Sequence, residues 1–190
     1  MNKKIPIEVS ARHIHLSQDD LEALFGKGYQ LKKLKQLTQP CDFAAEEKLD
    51  IRIGDKKISG LRIVGPVREQ TQVELSTTDS FSLGMEIPLR LSGDITGTPG
   101  AFLVGPQHEI EIKEGLIVAK RHLHLTSDEA NTLGFKSGES VSIKTEGERA
   151  VIFHNVVIRV REDYALCFHL DTDEGNACGV LKKSYGFLIF

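Results

Sequence analysis

Tryptophan is absent from this 190-residue chain and tyrosine occurs three times. So few large aromatics argue against the stacking platforms on which single-stranded nucleic acid is held. Formal net charge is only −3, so no broad basic field draws in nucleic acid or an anionic membrane surface. The three cysteines, Cys41, Cys167 and Cys178, are odd in number and form no Cys-x-x-Cys. That usage fits a reducing cytoplasm better than a disulfide framework. No apolar run is long enough for a membrane span, and the stretch from Met1 to Val9 has too short an apolar core for a signal peptide. No Gly-x-Gly-x-x-Gly opens a helix and no Walker sequence occurs, which excludes nucleotide folds of those kinds.

What the chain has is a short phrase used twice. Ser-Ala-Arg-His-Ile-His-Leu-Ser from Ser10 is matched by Ala-Lys-Arg-His-Leu-His-Leu-Thr from Ala119. In register, Arg12, His13, His15, Leu16, Asp19 and Leu24 fall on Arg121, His122, His124, Leu125, Asp128 and Leu133. Four of the seven histidines lie in these two pairs, and one such pair alone would read as a surface strand. Its duplication points instead to two like metal-binding structures.

Local patterns place the pairs. Residues 4–11 read as a strand entering the first pair. Ser17 with Asp20, and Thr126 with Glu129, have capping-box spacing, so each pair is followed by a short helix, ending at Gly26 and Gly134. Elsewhere the pattern is β. Leu49–Ile53 and Ile58–Val64 flank a Gly54-Asp55 turn, and short strands are predicted at 73–75, 87–91, 101–104, 109–112, 140–145, 150–153, 156–160 and 164–170. Many short strands at this spacing argue for barrels or sandwiches. With 40% hydrophobic residues the chain can bury one compact core or two small ones.

Residues i and i+2 of a strand share a face, so His13 with His15, and His122 with His124, can each hold one ion through neutral imidazoles; zinc is the default. Further donors must come from elsewhere. His169 is the strongest extra histidine, and a carboxylate from the Glu46-Glu47 or Glu74 regions could complete the other site. His108 and His154 lie outside the repeats and read as surface or satisfied histidines. Arg12 and Arg121 are expected to orient the strand ends or to pair with Asp19 and Asp128. The run Asp171–Glu174 reads either as a solvated loop or as support for His169.

Several phrases together make the chain resemble the PduL-type phosphate propanoyltransferases. They are Arg-His-x-His-Leu-Ser, Gln-Pro-Cys-Asp-Phe-Ala-Ala-Glu-Glu, Gly-Pro-Val-Arg-Glu-Gln-Thr-Gln-Val-Glu, Ser-Gly-Asp, Arg-His-Leu-His-Leu and His-Leu-Asp-Thr-Asp-Glu-Gly-Asn, in that order from about Ile7 to Gly179. The resemblance implies a mainly β fold of two interlocked β-barrels capped by short α-helices. The N-terminal strand would complete the C-terminal barrel. Residues 12–119, with a hairpin lid near 47–56, would form one domain; 2–11 with 120–190 would form the other.

It also implies reversible acyl transfer, acyl-CoA plus phosphate giving acyl phosphate plus CoA, at a dinuclear zinc site with two Zn2+ per chain. By motif, His13, His15 and Glu74 correspond to one set of ligands, facing the CoA sulfur. His122, His124 and His169 correspond to the other, facing phosphate. Arg68 matches the arginine that contacts phosphate, and Ser10, Lys35, Arg62, Val64 and Asn176 match CoA contacts. Phosphate would attack the thioester directly, with propanoyl or acetyl as the group moved. Arg90 with Ser92-Gly93-Asp94 would border the phosphate, or simply form a turn.

The rival readings are a dinuclear metal-dependent acyl-CoA or ester hydrolase, a non-catalytic module binding CoA or metal, and a ping-pong variant using Cys167 as acyl carrier. The expected partners are CoA, phosphate and acyl phosphate, with no nucleic acid or membrane, and a homodimer from base rates. The short segment before His13 favours a cytoplasmic enzyme over association with a microcompartment shell.

Overall fold

In the computed structural model, residues 4–180 and 184–189 are described; residues 2, 3, 181–183 and 190 of the expected second domain lie outside them. In chain order the strands are β1 (Lys4–Ser10), β2 (His13–His15), β3 (Lys33–Gln36), β4 (Phe43–Ile53), β5 (Lys56–Gly65), β6 (Gln72–Leu75), β7 (Leu89–Arg90), β8 (Ala101–Val104), β9 (Glu109–Ile112) and β10 (Leu116–Ala119). They continue with β11 (His122–Leu125), β12 (Ser140–Thr145), β13 (Ile152–Val160), β14 (Cys167–Asp171) and β15 (Ser184–Ile189). Four short helices interrupt them: α1 (Gln18–Phe25), α2 (Thr77–Leu83), α3 (Ser127–Leu133) and α4 (Thr172–Cys178). The mainly β expectation is borne out.

The chain divides into two compact units, one of residues up to Ala11, Thr38–Cys41 and Lys120 onward, the other of Arg12–Leu37 and Asp42–Ala119. The first unit closes into a barrel in the order β1-β14-β11-β13-β12-β15. Its N-terminal strand β1 fills the gap between β14 and β15, parallel to one and antiparallel to the other, as the resemblance implied. Strand alternation sorts the side chains. Leu123 and Leu125 of β11, Phe168 and Leu170 of β14, and Ile5 and Ile7 of β1 fill the interior, so His122, His124, Cys167 and His169 fall on the opposite face. Phe168 is fully buried, and its replacement by alanine would cost about 3–5 kcal/mol.

The second unit is a curled nine-stranded sheet, ordered β7-β10-β6-β2-β5-β4-β8-β9 with β3 on β4. Ile14, Ile63, Val73 and Leu75 enter its core, which turns His13, His15, Gln72 and Glu74 to the other face. β4 and β5 form the expected hairpin; Gly54 takes a positive φ of 58° in its turn, a conformation glycine adopts without steric cost. The strand that leads into each histidine pair is paired in the other unit. β1 lies beside β14 and β10 beside β6, with Glu8 opposite His169 and Ile117 opposite Glu74.

Four local expectations are corrected. The strand expected at 87–91 is only Leu89–Arg90. The two expected at 150–153 and 156–160 are one strand, β13, carried through Asn155 at a positive φ of 57°. β14 begins at Cys167 and not at Tyr164. Asp171–Glu174 is not a solvated loop: Asp171 caps α4 and Glu174 closes its capping box. α2, with the equivalent Ser76 and Asp79, is a fourth capped helix that the reading above does not contain.

Candidate functional site

Each unit carries one of two similar groups of side chains. In the second unit β2 runs antiparallel to β6, and His13 stands directly opposite Glu74. His13 Nε2 lies 3.1 Å from His15 Nε2, and the Glu74 carboxylate oxygens lie 3.7 Å from His13 Nε2 and 3.9 Å from His15 Nε2. Ligand atoms at zinc's usual bond length stand about 3.3 Å apart at the edges of a tetrahedron. The three donors therefore already bracket the spacing of one ion.

Orientation is fixed from behind. His15 Nδ1–H donates to the Val64 carbonyl at 3.1 Å, which leaves Nε2 bare and turned toward His13. Burial, then the neighbouring His13 and Arg68, hold His15 well below the ordinary imidazole range, against the pull of the Val64 bond. A neutral imidazole with an exposed lone pair is the form a metal takes.

In the first unit β11 runs antiparallel to β14, with His122 opposite His169. His122 Nδ1–H donates to the Lys120 carbonyl at 2.8 Å, which makes Nε2 the ring nitrogen that carries the lone pair. The rings of His122, His124 and His169 stand 4.6–5.0 Å apart centre to centre. His124 is the clearest sign of a missing partner. Both its nitrogens are buried without a hydrogen bond, an arrangement that costs free energy unless something binds there. Burial and the adjacent histidines and arginines push its basicity far down, and its ring stacks on Tyr164 at 3.9 Å between centres, with Arg161 also over that tyrosine ring, 4.8 Å from its centre.

Each set, His13-His15-Glu74 and His122-His124-His169, has one donor atom per residue within 4.8 Å of the others. A third set of Glu8, Cys167 and His169 overlaps the second. Burial, with Glu8 nearby, pushes the Cys167 thiol up to about 12, so it keeps its proton at neutral pH. Nitrogen and carboxylate donors in threes suit zinc, and the residues present fit that ion at both places.

The remaining candidates fall into two groups. Ser10 of the first unit has its hydroxyl 3.4 Å from His169 Nδ1, and Asn176 is exposed on α4, which packs so closely on β1 that a side chain at Gly175 would meet Val9 at 2.5 Å. In the second unit Arg62 stands opposite His13 on β5 and donates to the carbonyls of Ala45 and Glu46 at 2.9 Å each. Lys35 is exposed on β3, and Val64 is buried. Arg68 donates to the Ser92 hydroxyl at 3.1 Å. Glu47 is excluded as a ligand of either set, because its carboxylate accepts from the Tyr29 hydroxyl at 2.8 Å and the Lys32 N–H at 3.1 Å. Arg12 and Arg121 pair not with Asp19 and Asp128 but with Asp79 and Glu174. Asp20 does not complete a box with Ser17 either; its carboxylate takes the Thr71 hydroxyl.

Two glutamines were not among the sequence candidates. Gln39 is clamped by two 3.0 Å bonds to the Ala165 backbone and sets its amide nitrogen 3.3 Å from His169 Nε2. Gln72 is buried and bonds Glu74. The signal for Gln72 was available, since it stands two residues before Glu74 on the same strand face.

A family model described as phosphate propanoyltransferase matches residues 6–181. A phosphate propanoyltransferase of Thermotoga maritima is 50% identical over 175 residues, covering 91% of this chain and 83% of that protein. Those of Lachnoclostridium phytofermentans and Listeria monocytogenes are 48% and 43% identical, covering 93% and 97% of this chain and 83% and 87% of theirs.

Proposed function

Since the chain belongs to the phosphate propanoyltransferase family and is an acyltransferase, we propose that it moves a propanoyl or acetyl group reversibly between CoA and inorganic phosphate, using two zinc ions. The observation that supports the metal assignment is the pair of three-donor sets, with His124 buried and unpartnered in one of them. His13, His15 and Glu74 would hold one ion, and His122, His124 and His169 the other. Bound there, zinc supplies Lewis acidity toward the thioester sulfur and phosphate oxygens, thiolate being one of its preferred ligands.

The protein's own groups do the rest. A phosphate oxygen forms a bond to the thioester carbon, and the carbon–sulfur bond breaks with sulfur leaving as thiolate. Arg68 presents a planar fork of donors to phosphate and a fixed positive charge to the oxyanion that develops on the carbonyl. Holding phosphate in place turns a bimolecular encounter into a positioned one. Lys35 and Arg62 face the anionic nucleotide end of CoA, Asn176 and Ser10 offer hydrogen bonds to its amide-bearing arm, and Val64 offers apolar contact. No side chain carries the acyl group.

The test is an assay of CoA thiol release from propanoyl- and acetyl-CoA, with acyl phosphate trapped by hydroxylamine. Release should require phosphate, stop on chelation and return with zinc. Equal release without phosphate would make the protein a hydrolase, and CoA binding without turnover would make it a non-catalytic module.

A further inference from the structure

Gln72 sits in the second unit, 2% exposed, between a metal-site carboxylate and the arginine assigned to phosphate. Its amide nitrogen donates to Glu74 Oε1 at 2.7 Å and to Ser92 Oγ at 2.9 Å, and its amide oxygen accepts from the Gly93 N–H at 2.7 Å. The orientation has one chemical solution. A flipped amide would set its oxygen against a carboxylate and its NH2 against a backbone N–H. Ser92 Oγ also accepts from Arg68 Nη1 at 3.1 Å. Both lone pairs of that hydroxyl are thus committed, so its hydrogen is left to donate to an incoming group.

We propose that Gln72 is a positioning residue that locks Glu74 and Arg68 into one arrangement, through Ser92. The inference rests on the assignment of Glu74 to metal and Arg68 to phosphate. By taking Oε1, Gln72 stops rotation of the Glu74 carboxylate and sets Oε2 toward His13. By fixing the Ser92 hydroxyl and the Gly93 N–H, it fixes the acceptor that Arg68 rests against. The other triad is served differently, by Gln39, whose amide nitrogen lies 3.3 Å from His169 Nε2. In the other repeat the residue two before the third donor is Cys167, whose thiol cannot make such a fork. This asymmetry suits a pair of sites with different tasks, one of them tied to the phosphate arginine.

Gln72→Met keeps the volume and removes every hydrogen bond of the amide; Gln72→Asn keeps the amide but is one methylene short. Both should raise the phosphate KM by at least about tenfold, as expected for losing hydrogen bonds to charged groups. The KM for acyl-CoA should stay within about twofold, because its assigned contacts do not use this network. Zinc affinity of the protein, read by competition with a chromogenic chelator and needing no turnover, should fall by about 10–100-fold for one of the bound ions. Ser92→Ala should raise the phosphate KM but leave zinc affinity unchanged. Gln72→Met combined with Ser92→Ala should be less than additive on phosphate KM, because both cut one path. Unchanged phosphate KM and zinc affinity in both Gln72 variants, or full additivity with Ser92→Ala, would overturn the proposal. If Gln72→Met does not fold by circular dichroism, Gln72→Asn carries the same comparisons. Absence of acyl phosphate formation in the unaltered protein would instead sink the functional assignment, so the two failures are distinguishable.

Discussion

Arg121 donates to Glu174 at 2.8 Å, joining the residue before one histidine pair to the residue that closes the capping box of α4. Arg12 does the same to Asp79 of α2 at 3.0 Å. The repeat is therefore longer than the phrase that announces it. In each copy an arginine precedes His-x-His. The third donor, Glu74 or His169, stands opposite the first histidine, and two residues later Ser76 or Asp171 caps a helix. The arginine then ties that helix back to the start of the histidine strand, so the third donor is held at both ends.

Cutting this tie should destabilise more than an ordinary surface ion pair would. Asp79 is buried while Arg12 is about half exposed, and the Asp79 side chain also accepts from the Ser76 N–H at 3.1 Å. Asp79→Ala and Glu174→Ala should each lower unfolding free energy by about 1–3 kcal/mol, a cap plus a charge-assisted bond. Asp79→Asn should be milder, since its amide oxygen can still accept from Ser76. Denaturant melts of the four proteins measure this, and alanine variants within about 0.5 kcal/mol of the parent would show that the tie carries no stability.

Removing one donor from either triad should leave the other loaded. His13→Ala and His122→Ala should each lose one bound zinc per chain by elemental analysis and should both lose acyl phosphate formation. The affinity lost at the altered triad should exceed the about 10–100-fold typical of partners outside a metal's own ligands. Equal zinc content in all three proteins would show that these histidines are not ligands.

The fold class and both histidine pairs were legible because strand alternation and capping leave a local mark on sequence. His-x-His fixes a face within three residues, and Ser17 and Thr126 announce helices that form where expected. Less was legible wherever partners are distant in sequence. Nothing near Arg12 names Asp79, and Asp19 was the local guess; the true partner comes from antiparallel pairing of β2 with β6. Tertiary pairing also drew Asp20 away from its capping role to Thr71. Glu46, Glu47 and Glu74 were equivalent by composition, and only register opposite His13 separates Glu74 from the others. Gln72 was visible by alternation yet passed over, since an amide is not itself a metal ligand.

Cys167 is two residues before His169 and faces the same way, so it is the natural suspect for an acyl-carrying thiol. Its surroundings disarm it. A thiol pushed up to about 12 by burial and by Glu8 has almost no thiolate at neutral pH, and thiolate is the nucleophile. Cys167→Ala should therefore keep acyl transfer within about threefold, while losing up to about 1–2 kcal/mol of stability from the small cavity. Loss of activity with zinc content intact, together with a trapped acylated protein in the parent, would establish a ping-pong route instead.

The metal-free protein should lose stability as pH falls through the histidine range. His15 and His124 are both held below their ordinary value of 6.5, chiefly by burial. The unfolded chain therefore binds protons that the folded chain refuses, and stability is present above about 6.5 and drains away below it, by up to about 1.4 kcal/mol per pH unit for each histidine. Asp171 and Glu174 act in the opposite sense, because burial raises them and the folded state holds their protons more tightly as pH falls. The clean window thus lies between about 6.5 and about 5, above most carboxylate titration. Denaturation midpoints across it should fall for the metal-free parent and fall less for His124→Leu, which has no imidazole to charge. Zinc should protect in the same window, since an occupied imidazole cannot take a proton until the metal leaves. A midpoint that stays level in the metal-free parent would mean that the buried histidines open to solvent more readily than their packing implies.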